Sequence, residues 1–162
     1  MKASICCSLI ISYAILSCTQ QEAKNDTKLV FKKLPDTTEI IIGATINGKK
    51  QGLWITYNDS GRISSCDTYI NDSLTGESIG YFEDGTVLSR GVLKDGQREG
   101  EWSLYYGKNR TAEKGRYFRG KKIGIWEYYT EDGKLDRKVE YDEVGNRKIL
   151  EDNHLTPRVP TR

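Results

Sequence analysis

Between about residues 39 and 145, hydrophobic residues come in short runs, and each run is closed by a pair of turn-forming residues. One set of pairs is Asn47-Gly48, Asn71-Asp72, Asp95-Gly96 and Arg119-Gly120. The other is Ser60-Gly61, Asp84-Gly85, Lys108-Asn109 and Asp132-Gly133. Most of these pairs suit two-residue hairpin turns, whose central residues need positive φ and so favour Asn, Asp and Gly. The pairs return every 11 to 13 residues. That leaves strands of about 7 to 10 residues between them, and no segment sustains a helical period long enough to compete. The pattern predicts an all-β chain: an antiparallel β-meander of four 24-residue hairpin repeats, roughly eight strands in all.

The period is carried by particular residues. Gly52, Gly76, Gly100 and Gly124 are spaced by 24, as are Tyr57, Tyr81, Tyr105 and Tyr129. Trp54, Trp102 and Trp126 follow the same period, with Ser78 at the missing place. A further row is Tyr69, Leu93, Tyr117 and Tyr141. A single hairpin is marginal alone, so stacking on the next hairpin must supply the burial. The tryptophans and the tyrosines at 57, 81, 105 and 129 are therefore the expected core aromatics. By a period of two, Ile63, Val87 and Leu135 should share a face with Tyr69, Leu93, Tyr117 and Tyr141. Trp54 and Tyr57 are three apart, so either both faces carry aromatics or a bulge rotates one of them.

Three lines show the figure in full: GKKQGLWITYNDSG from Gly48, GQREGEWSLYYGKN from Gly96 and GKKIGIWEYYTEDG from Gly120. They resemble the MORN repeat, and more closely its bacterial variant in proteins labelled YwqK-family antitoxins. The second copy, DSLTGESIGYFEDG from Asp72, departs with Asp for Gly and Ser78 for Trp; the third has Asn109 for the late Gly. The resemblance implies an extended antiparallel sheet that acts as a scaffold for protein or lipid contact.

The N-terminus differs in kind. After Met1-Lys2, residues 3–16 carry no charge. This run is short of the ~20 residues a spanning helix needs and reads as a secretory signal. It ends in Ile15-Leu16-Ser17-Cys18, which resembles the bacterial lipobox. By that resemblance residues 1–17 are a lipoprotein signal peptide and Cys18 is lipidated, which places the protein on the bacterial cell envelope, at the outer membrane or its periplasmic face. Residues 18–38 then form a polar tether, 39–145 the repeat domain and 146–162 a C-terminal tail. Cys6, Cys7 and Cys18 fall in the signal region and leave Cys66 alone in the body, so no internal disulfide is expected in the mature chain.

Charge and chemistry narrow the function. The net charge is +2 with both signs interleaved, which argues against nucleic acid as a partner. The one histidine, His154, lies in the tail, and no Cys/His cluster has metal spacing. No catalytic set, cofactor, metal or small-molecule substrate is expected, and the carboxylates at Asp59, Asp84 and Asp132 serve turns. The reading is a non-enzymatic, lipid-anchored scaffold with a protein partner, contacted through surface charges such as Arg98 and Arg116. Two alternatives are a binder of carbohydrate or wall polymer through exposed tryptophans, and an antitoxin-like inhibitor of a partner protein.

Overall fold

The turns of one set close as expected. Asn47, Asn71, Asp95 and Arg119 sit at φ of 53°, 50°, 50° and 48°, each followed by a second residue of positive φ. These four turns are two residues long and join β2 (Ile40–Ile46) to β3 (Lys49–Tyr57), β4 (Ile63–Ile70) to β5 (Ser73–Tyr81), β6 (Val87–Lys94) to β7 (Gln97–Tyr105) and β8 (Thr111–Phe118) to β9 (Lys121–Tyr129). Two consecutive left-handed residues match the right-handed twist of paired strands.

The other set differs from the two-residue expectation. Ser60-Gly61 and its counterparts lie in five-residue loops, at 58–62, 82–86, 106–110 and 130–134. The reason is local hydrogen bonding. In the first loop the Asn58 side-chain oxygen accepts from the N–H of Ser60 and of Arg62 at 3.0 Å each. The Gly61 N–H donates to the Asn58 carbonyl at 2.9 Å. Such Asx geometry builds a longer turn from the same turn-forming residues.

The computed structural model describes residues 25–33 and 40–153. Those residues form one open antiparallel sheet of eleven strands in sequence order, and none of them is helical. It is the all-β meander read from the sequence, with three more strands than the roughly eight expected there. β10 (Leu135–Tyr141) closes the fourth repeat, and the strands beyond the four hairpins are β1 (Thr27–Lys33), β2 and β11 (Arg147–Asp152). The sheet therefore starts inside the stretch read as tether and ends inside the stretch read as tail. The period explains both additions. Val30 stands 24 residues before Trp54, and Leu150 stands 24 after Trp126. The outer strands are worn copies of the repeat, paired by backbone but without its aromatics.

The glycine row at 52, 76, 100 and 124 shapes every β-hairpin of the repeat. These residues have φ of 71°, 125°, 68° and 63°. Beside them the pairing skips: Ile42 faces Ile55, yet Ala44 faces Gln51. The same skip recurs in the β4–β5, β6–β7 and β8–β9 pairs. The row thus bends the backbone at a bulge. It does not seat the tryptophan rings.

The rings are seated by a second glycine row. A Cβ on Gly43 would fall 2.2 Å from the Trp54 ring; on Gly91, 2.2 Å from Trp102; on Gly115, 2.4 Å from Trp126. Each indole lies flat on the bare backbone of the strand before it. The buried hydrophobic residues are Trp54, Leu93, Trp102, Tyr117, Trp126 and Val139, all on this one face.

Candidate interaction surface

Ile55, Thr56 and Tyr57 pair with Ile42, Ile41 and Ile40 without a break, and the bulge beside Tyr57 is on β4, so β3 alternates regularly and Trp54 and Tyr57 point to opposite faces. Both faces carry aromatics, but in different states. On the first face Tyr117 stands edge-on between two tryptophans, with centroids 6.1 Å from Trp102 and 4.9 Å from Trp126. Tyr69 meets Trp54 in the same way at 6.0 Å. Trp102 and Trp126 donate their ring N–H to the carbonyls of Val92 and Arg116, at 2.9 and 3.1 Å.

Cations cap this layer. Lys50 lies 4.5 Å from the ring centres of both Trp54 and Tyr69. Arg98 lies 4.6 Å from Trp102 and 5.3 Å from Tyr117, and Lys122 lies 3.9 Å from Trp126. Lys50, Arg98 and Lys122 are one row of the 24-residue period, whose remaining member is Leu74. The row loses its cation where the repeat loses its tryptophan. Arg98, expected as a free surface charge, instead donates to the Tyr117 hydroxyl at 2.9 Å and belongs to the stack. Arg116 is on the surface, 3.9 Å from Glu101.

The second repeat shows the rule by breaking it. Ser78 replaces tryptophan, and Asp67 replaces the glycine that would have seated it. The Ser78 hydroxyl donates to the Asp67 carboxylate at 2.6 Å. The glycine row at 43, 91 and 115 was legible as a period of 24, and so was its exchange for Asp67 beside Ser78. The alignment on Gly52 and Trp54 alone passes over it.

The second face is half-buried, and toward its C-terminal end it mixes charged pairs with exposed apolar side chains such as Val92 and Ile125. Tyr57, Tyr81, Tyr105 and Tyr129 are all partly exposed there. Ile63, Val87 and Leu135 sit opposite Tyr57, Tyr81 and Tyr129, and not on the face of Tyr69, because a bulge beside each pair shifts the register by one residue. Glu77 accepts from Arg90 at 2.8 Å. Glu127 accepts from the Tyr129 hydroxyl at 2.6 Å and pairs with Lys114 at 3.1 Å and Lys138 at 3.3 Å. These donors, the Tyr129 hydroxyl foremost, hold the Glu127 carboxyl at about 2. Toward the N-terminal end the same face is apolar, with Leu29, Phe31 and Leu53 exposed. Cys66 is there too, its thiol pushed up by burial and so poorly reactive.

Among the described residues no group of His, Cys, Asp and Glu could hold a metal. Cys18 and His154 lie outside the described residues. The exposed tryptophan ladder of a polymer binder is not present, since Trp54, Trp102 and Trp126 are 5%, 4% and 0% exposed. Residues 122–143, which span β9 and β10, match the family model of the MORN repeat variant. Repeats of that family are in general non-catalytic modules, and they suggest a repeat-based interaction scaffold. A comparison with curated proteins finds no match.

Proposed function

We propose that the protein is a non-enzymatic scaffold, tied to the bacterial envelope by lipid on Cys18, that binds a protein partner on the second face of its sheet. The observation that carries this reading is the unlikeness of the two faces. One is a buried aromatic layer that holds the fold. The other presents exposed rows of charge, Arg90 and Arg116 among them, with paired partners that could be exchanged for those of another protein. Extended charged surfaces give specificity and association rate without a pocket. The leader ending in Cys18 is what supports the anchor.

The test has two arms. In cells fed labelled fatty acid, Cys18→Ala should lose both label and processing; normal labelling of that variant removes the anchor from the proposal. For the scaffold, a partner is captured from envelope membranes with the wild-type protein. Arg90→Glu and Arg116→Glu should then weaken capture stepwise while the melting temperature holds. Loss of all function through one surface substitution, with the fold intact, would point to an active site and against a scaffold.

A further inference from the structure

The aromatic layer is unfinished at its N-terminal end. In the row that supplies Tyr69 and Tyr117, the position one repeat earlier is Thr45. Its place is the same: Thr45 pairs with Lys50 as Tyr117 pairs with Lys122. In the tryptophan row, the position before Trp54 is Val30, which pairs with Gly43. Two large rings are thus replaced by two small side chains, one beside the other. The space they leave is a cavity of about 320 Å³ lined by Val30, Lys32, Ile41, Thr45, Lys50 and Trp54, and at its rim by Asp72, whose carboxylate accepts from the Lys50 main-chain N–H at 2.7 Å. A second observation falls on the same wall. Trp54 is the one tryptophan whose buried ring N–H has no acceptor, and it is the only such buried side-chain atom among the described residues. A buried donor without a partner costs free energy, so this end of the layer is less well satisfied than the Trp102 and Trp126 rungs, whose ring N–H groups reach main-chain carbonyls.

The geometry points to a binding slot for an aromatic side chain flanked by carboxylates, presented by a protein partner. The ring takes the place that a tyrosine at 45 would hold, edge-on to Trp54 as Tyr117 stands to Trp126 at 4.9 Å. Lys50 already lies 4.5 Å from the Trp54 ring, so it meets the incoming ring by cation–π attraction and a neighbouring carboxylate by charge. Lys32 supplies the second charge from the edge strand. Val30 and Ile41 give the apolar floor that such pockets need. This inference rests on the scaffold reading and adds, to the contacts proposed on the second face, an anchor for the partner on the tryptophan face at the N-terminal end of the sheet.

The probe is a capped, dye-labelled pentapeptide, Gly-Glu-Tyr-Glu-Gly, titrated into the full chain in detergent and read by anisotropy. It should bind, and the peptide with Ala for Tyr should bind roughly tenfold more weakly or worse. Thr45→Tyr restores the missing rung from within. That variant should melt higher than wild type and lose the peptide, a pair of outcomes that simple damage to the fold cannot produce. Lys32→Glu should weaken binding and leave melting unchanged. Equal binding of the Tyr and Ala peptides, or unaltered binding by Thr45→Tyr, overturns the slot. Capture of a membrane partner that responds to Arg116→Glu and not to Thr45→Tyr would overturn the slot and leave the scaffold standing.

Discussion

At the scale of single residues, stability is written in pairs and not in the tryptophans alone. Trp102 lies on Gly91, and the second repeat has Ser78 on Asp67 in the same two places. Trp102→Ser should cost about 3–5 kcal/mol, as other truncations of buried large rings do. Gly91→Asp should cost about 1–3 kcal/mol or more, since its Cβ meets the ring at 2.2 Å. The double variant recreates the hydrogen-bonded pair of the second repeat. Its cost should fall short of the sum by about 1 kcal/mol or more. Denaturant melts of the four proteins check this. Plain additivity would mean that the two positions do not sense each other. The sequence announced the tryptophans, because a rare residue at a fixed period stands out. Their seats were harder to see, since glycine is common and its purpose here is to be absent.

At the scale of strands, Glu127 ties three of them together. It is on β9, Lys114 is on β8 and Lys138 is on β10. Its folded carboxyl titrates near 2 against an ordinary 4.5, with the Tyr129 hydroxyl as the largest cause. A carboxyl depressed by folding stabilises the fold when ionised. That contribution is complete above about 4.5 and disappears as pH falls through about 2. Glu127→Gln should therefore be less stable than wild type by a constant margin at neutral pH. The margin should shrink between the two values, as read by melts across pH. A margin that stays constant through that range would mean the cluster does not hold the carboxylate ionised. None of this was visible in the spacing of residues. Lys114, Glu127 and Lys138 come from three strands, and only the register brings them together.

At the scale of the whole molecule, the sheet is a line of repeats in which each hairpin touches only its neighbours. Stability then depends on position along the line. The largest buried cluster is Leu93, Trp102, Tyr117 and Trp126, on β6 to β9. β1 and β11 pair on one side only and expose Leu29, Phe31 and Ile149. Hydrogen exchange should be slowest in β7 to β9 and fastest in the two end strands, because opening an end breaks one interface and opening the middle breaks two. Uniform exchange along the chain would show a single cooperative block in place of a graded array.

The sequence by itself determined the all-β class, the 24-residue period, the two-residue turns at residues such as Asn47-Gly48 and the identity of the tryptophan rows. These follow from local chemistry: positive φ at the turns, alternation along the strands and repetition of rare residues. It did not determine the five-residue loops, which depend on where side chains such as Asn58 reach back to the main chain. Nor did it determine the extent of the sheet, because β1 and β11 are recruited by backbone pairing and lack the marker aromatics. Which face becomes the core was decided in the tertiary structure, where strand register brings the glycine row at 43, 91 and 115 under the rings. Trp54 and Tyr57 look equal in sequence, but only the face of Trp54 has bare glycines on the preceding strand. A flat ring can be buried on one sheet face only where the neighbouring strand has no side chain in its way.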